Sequence, residues 1–263
     1  MQKKLSKLTT LIFVLSLFGC STDKVDETKN WPAPKIYSEA REELASGNYE
    51  RAITLFEKLE AGYPFGTYAQ QAQLEIAYAY YKQADQAQAL AAVERFIKLH
   101  PNHPNVDYMY YLRGLINFND PTSFLDRFYP QDATERDPKG TREAFDAFKR
   151  LVEKFPNSEY APDARLRMKY LVNAMAQYEL HVARYYYRRG AYLSAINRAQ
   201  TAVTDYRESP ATEEALFIMV QGYEKLGLTE LHDDTQRIFN KNFPNSAFPS
   251  KGQRPARRWW DFW

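Results

Sequence analysis

One pattern recurs five times along this chain of 263 residues and restricts it to one kind of architecture. Ala52 is followed by Phe56 four residues on and Pro64 twelve on; Gly47 lies five before it and Tyr49 three before. Ala89 has Val93, Pro101 and Ala84 in the corresponding places, and Ala144 has Phe148 and Pro156. Ala195 keeps Gly190 and Tyr192 while its proline is displaced to Pro210, and His232 keeps Gly227 and Pro244. The string FPNS also occurs twice, at 155–158 and 243–246. These spacings describe a pair of helices. A small residue at the Gly47 place lets the chain turn sharply between them. Alanine at the Ala52 place lets them approach, and Phe56 fills the gap one turn on. Proline closes the second helix because it cannot extend the hydrogen-bond ladder.

This arrangement resembles the tetratricopeptide repeat, whose core pattern ends A-x3-F…P. The resemblance covers about Lys35 to Asn245 and implies an all-α fold, an α-solenoid of five helix-turn-helix repeats. Repeat one is predicted to pair Pro34–Ser46 with Tyr49–Ala61, and repeat two Thr67–Gln83 with Gln86–His100. Repeat three opens with Pro104–Phe118, is interrupted by an insertion at 119–140, and resumes at Thr141–Phe155. Repeat four has a long first helix, Ala161–Arg189, paired with Tyr192–Tyr206; repeat five pairs Ala211–Leu226 with Thr229–Asn242. No segment alternates apolar and polar residues as a strand would.

The amino terminus carries Lys3, Lys4 and Lys7, then an apolar run of 11 residues from Leu8 to Phe18. A bilayer span needs about 20 residues, so this run reads as a secretory signal. Leu17-Phe18-Gly19-Cys20 resembles a bacterial lipobox, with a larger residue at Phe18 than is usual. Cys20 is the sole cysteine, unable to form an internal disulfide, and its thiol is the expected lipidation site. Resemblance to bacterial lipoproteins implies a diacylglyceryl group and an N-acyl chain there, and Ser21 after it implies the outer rather than the inner membrane. Residues 1–19 are then the signal peptide and 20–34 a lipid-anchored tether. Residues 35–118 form the amino-terminal repeats, 141–246 the carboxy-terminal repeats, and 247–263 a tail.

Removing the three leader lysines leaves 32 basic residues against 33 acidic ones. That balance argues against non-specific nucleic-acid binding. No phosphate-binding glycine loop is present. His100 and His103 flank a turn without further evident ligands, so no metal site is expected. Asp233 and Asp234 sit on a polar helix and read as solvated. With Cys20 lipidated no thiol nucleophile remains, and no enzyme is expected. No cofactor is expected beyond the acyl groups.

Binding surfaces are easier to nominate. The first helices line the concave face of a repeat solenoid. They carry Tyr78, Tyr80 and Tyr81 in repeat two and Tyr108, Tyr110 and Tyr111 in repeat three. Tyrosine offers apolar area with a polar tip. A helix cannot expose every side, so some of these are core; Tyr78, Tyr81 and Tyr111 are the candidates for a groove that takes extended peptides ending in an aromatic. Repeat four clusters Arg184, Tyr185, Tyr186, Tyr187, Arg188 and Arg189, with Arg198 in the partner helix. This cluster is either a solvated face or a protein interface. The tail holds Arg254, Arg257 and Arg258, then Trp259, Trp260, Phe262 and Trp263. It is either an unstructured end or a membrane or partner contact.

The lipobox, the five repeats, SFLDRFYP in the insertion and RRGAYLSAINR in repeat four together resemble the ComL/YfiO family of lipoproteins. The tail is not a recognised family feature. The resemblance implies a helical subunit of the outer-membrane β-barrel assembly machine, anchored on the periplasmic face. It implies carboxy-terminal repeats that bind the periplasmic domains of BamA, with Arg188 and Arg198 as the residues to test. It further implies BamC and BamE as partners and amino-terminal repeats that receive unfolded outer-membrane proteins. The alternatives are another periplasmic repeat lipoprotein, such as a pilus-assembly pilotin, or a peptidoglycan-associated adaptor.

Overall fold

The computed structural model describes residues 28, 30–118 and 138–248. Cys20, most of the insertion (119–137) and the tail from 249 lie outside them. The described residues form ten helices and no strand. They are α1 (Ala33–Ala45), α2 (Tyr49–Gly62), α3 (Thr67–Lys82), α4 (Gln86–Leu99), α5 (Val106–Asn117), α6 (Pro138–Lys154), α7 (Ala161–Arg188), α8 (Tyr192–Asp205), α9 (Ala211–Lys225) and α10 (Thr229–Asn242). Each packs chiefly on its neighbours in sequence, and first helices also touch the next first helix: α1 on α3, α3 on α5 and α7 on α9. These are the five helical pairs of an α-solenoid.

The repeat positions do the structural jobs that their spacing implies. Ala52, Ala89, Ala144 and Ala195 are fully buried, as are Phe56, Val93 and Phe148. The turn between paired helices sits in the left-handed region at Gly47 (φ 82°), Ala84 (60°), Gly190 (75°) and Gly227 (69°). Each turn closes with the same two backbone bonds. At repeat five these run from Gly227 N–H to the Glu224 carbonyl and from Leu228 N–H to the Tyr223 carbonyl. That is a Schellman cap, which satisfies carbonyls the helix leaves open. His232, in the alanine place of repeat five, is only half-buried. Its helix, α10, packs mainly on α9.

Four of the five second helices end two residues before their proline. The capping residues Tyr63, His100, Tyr206 and Phe243 all have φ between −128° and −135°. Three of them precede proline, which favours that extended conformation. Tyr206 precedes Arg207 and does the same, so proline is not what ends α8; Pro210 instead caps the start of α9. The following turn is also repeated. Tyr160, Ala211 and Phe248 donate their N–H groups to the hydroxyls of Ser158, Ser209 and Ser246, each at 3.2 Å. Asn105 donates to His103 Nδ1 at 3.0 Å in the same way. The serine of each FPNS string thus accepts the backbone N–H two residues on, within the turn that follows the second helix.

Three helix starts differ from the sequence reading. α6 begins at Pro138, inside the expected insertion, because proline suits a first helical position. α5 begins at Val106 rather than Pro104, after the His103 turn. α1 begins at Ala33, so the end of the expected tether is helical.

Candidate peptide-binding groove

A groove of about 650 Å³ opens on the first-helix face of repeats one to three. α1 supplies Arg41 and Leu44; one face of α3 supplies Leu74, Glu75, Tyr78 and Lys82; Tyr108 of α5 and Tyr160 before α7 close the far side. The α3 residues recur three or four apart, as one helix face requires. Arg41 and Tyr78 share a repeat register, eleven residues before Ala52 and Ala89. Asn105 and Tyr160 share another, four after Pro101 and Pro156.

Arg41 pairs with Glu75 across the groove floor, which raises the guanidinium above its ordinary range. Burial, helped by Tyr78 and Glu75, pushes the Tyr108 phenol well up. Burial and then Glu159 push Tyr160 up to about 12. The phenols are therefore neutral donors and acceptors at neutral pH. A wall of neutral phenols and ring faces around one paired charge and the exposed Lys82 suits an extended segment with few charges. Its backbone can bond the hydroxyls while its side chains lie on the rings.

The three tyrosines nominated from sequence take different positions. Tyr78 lines the groove. Tyr81 stands beside it, 6.4 Å from the Tyr78 ring. Tyr111 lies behind the wall, stacked on Tyr160 at 4.9 Å, with its hydroxyl donating to Asp163 at 2.6 Å. Tyr110 is core. Sequence reading placed Tyr108 among the first-helix tyrosines without nominating it for the groove, and missed Tyr160, for which the shared register with Asn105 was the available signal.

The repeat-four arginines also divide. Arg184 makes a two-pronged pair with the buried Glu214 at 2.5 and 2.7 Å, tying α7 to α9. Arg198 bonds Glu179 at 3.2 Å and is half-exposed, whereas Glu179 is buried. Arg189 lies over the Tyr185 ring at 5.3 Å. Arg188 is exposed and has no ion-pair partner among the described residues. His232 and Asp234 pair with Asp233 and Arg237. No group of three metal-ligating side chains occurs among the described residues.

Residues 29–238 match the YfiO family model, described as outer membrane lipoprotein. The chain belongs to the YfiO family. It is 47% identical to outer membrane protein assembly factor BamD of Neisseria meningitidis serogroup A over 97% of this chain and 98% of that one. The Neisseria gonorrhoeae protein of the same name is 46% identical over the same shares. The Vibrio cholerae protein of that name is 39% identical over 91% of this chain and 99% of its own. The match to the YfiO family begins ahead of α1 and ends within α10, so it takes in the groove, Arg188 and Arg198. Among the described residues no helix of this YfiO-family chain is long and apolar enough to cross a membrane.

Proposed function

We propose that this chain is a scaffold of outer-membrane β-barrel assembly that holds unfolded barrel proteins in the tyrosine groove. The observation that carries the reading is near-full-length similarity to proteins named as outer membrane assembly factors, in a chain whose amino-terminal repeats form that groove. The role is one of binding, not of catalysis. Cys20 carries the acyl groups that hold the solenoid at the periplasmic face of the outer membrane. Repeat four docks the periplasmic domains of BamA through Arg188 and Arg198, and BamC and BamE join the same assembly.

The groove is tested by titrating the full chain with an unfolded segment of an outer-membrane barrel protein. Tyr78→Ala should weaken binding about tenfold, as loss of an interface aromatic does, with circular dichroism unchanged. Undiminished affinity in the folded variant would remove Tyr78 from the site.

The docking surface needs a carefully chosen variant. Reversing Arg198 would set a second carboxylate against buried Glu179 and disturb the fold. Arg188→Glu and Arg198→Gln are cleaner, and each should weaken binding of a purified BamA periplasmic fragment. For the anchor, Cys20→Ser should leave folded repeats that no longer sediment with outer membranes when BamA is absent.

A further inference from the structure

The face that bears the groove does not end at Tyr160. Rings continue beyond it in an unbroken chain of contacts. Tyr160 stacks on Tyr111 at 4.9 Å, and Tyr111 lies 6.0 Å from Phe148. Phe148 lies 6.2 Å from Phe118, and Phe118 meets Tyr170 edge-on at 5.8 Å. Asp163, Leu166, Arg167 and Tyr170 follow Tyr160 at helical spacing along one face of α7. The charges on that face are already engaged. Asp163 accepts from Arg167 and from the Tyr111 hydroxyl, each at 2.6 Å, and Arg167 lies over the Phe118 ring at 4.9 Å. Burial alone would raise the Asp163 carboxyl; those two hydrogen bonds overcome it and hold the group ionised. Yet Leu166 is 70% exposed and Tyr170 50% exposed, one turn apart. An aromatic floor, a neutralised ion pair and two exposed apolar side chains make a surface that offers contact area and asks for no charge.

We infer that Leu166 and Tyr170 form a second subsite, which takes further apolar side chains of the same unfolded polypeptide seated in the groove. The inference rests on the groove reading above and extends it: the ligand is a long extended segment, gripped at two places. Ten residues of α7 separate Tyr160 from Tyr170, about 15 Å along the helix. An extended chain advances about 3.3 Å per residue, so four or five more ligand residues reach from one place to the other. Successive side chains of an extended segment point to opposite sides, so every second residue would face α7. A strand of a β-barrel, with apolar residues at alternate positions, has that pattern.

The test uses two labelled peptides from one strand of an outer-membrane barrel protein. The short one has about seven residues; the long one adds about five native residues, at either end in separate versions. Fluorescence anisotropy on the full chain reads their affinities. One version of the long peptide should bind about tenfold more tightly than the short one. Leu166→Ser with Tyr170→Ser should abolish that gain and leave the short peptide's affinity unchanged. Both positions are exposed, so the fold should survive, and circular dichroism checks this. Equal affinities for short and long peptides, or a gain that persists in the double variant, overturn the second subsite while leaving the groove intact. Failure of every peptide to bind overturns the groove reading and this inference together.

Discussion

At Ala84 the chain turns with φ 60°, where the other three turns described between paired helices place glycine. A methyl group in that region costs roughly 1 kcal/mol or more, because Cβ crowds the following carbonyl. Ala84→Gly should therefore raise stability by about 0.5–1 kcal/mol after the extra unfolded-state freedom of glycine is deducted, read as a higher midpoint in urea. His103 is the other residue out of pattern. Its Nδ1 accepts the Asn105 N–H where serine hydroxyls serve later junctions. That nitrogen must be unprotonated to accept. Burial and then the neighbouring His100 hold His103 below the usual histidine range. A depressed folded value means that the contribution is present above about pH 6.5 and is lost as pH falls through the folded value. Wild type should lose more stability between pH 7 and pH 5 than His103→Ser, which supplies a non-titrating acceptor. Equal losses in urea titrations would show that His103 does not titrate with folding.

Within the elements, helix contacts depend on small residues that the repeat alignment alone does not single out. Gly114 on α5 faces the fully buried Phe148 of α6, and a Cβ there would collide with the ring. Phe148 is enclosed and cannot swing away, so Gly114→Ala should cost about 1–3 kcal/mol, measured by chemical denaturation. The helix boundaries were mostly legible because caps and prolines act locally. The groove was legible only in part. Tyr110 and Tyr111 are neighbours in sequence, yet helix rotation makes one core and brings the other to Tyr160 and Asp163. Choosing between them requires the position of α7, which lies across the insertion.

At the scale of the molecule, the described residues form no single core. Buried side chains fall into successive clusters along the solenoid, the first shared by α1 to α3 and the last by α7 to α10. Each repeat is stabilised by the packing of its own helix pair and by its immediate neighbours, so damage should stay local. Phe239→Ala removes a fully buried ring from α10 and should cost about 3–5 kcal/mol there. Hydrogen exchange should rise in α9 and α10 while peptide affinity at the groove, in repeats one to three, stays unchanged. A matching loss at the groove would show that the solenoid folds as one cooperative unit.

The sequence by itself determined the number of repeats, the places of the turns and the ends of the second helices. Those features rest on local backbone physics: a positive φ at Gly47, Gly190 and Gly227, a capped carbonyl pair, and an extended residue before proline. Only the tertiary structure decided which side chains are free to meet a ligand. Arg184 is committed to Glu214, 30 residues away, by two bonds, whereas Arg198 meets Glu179, 19 away, through one and stays half-exposed. Tyr111 is committed to Asp163 at a separation of 52. Charge and aromaticity are properties of a residue, but availability for binding depends on what the packed helices bring within about 3 Å of it.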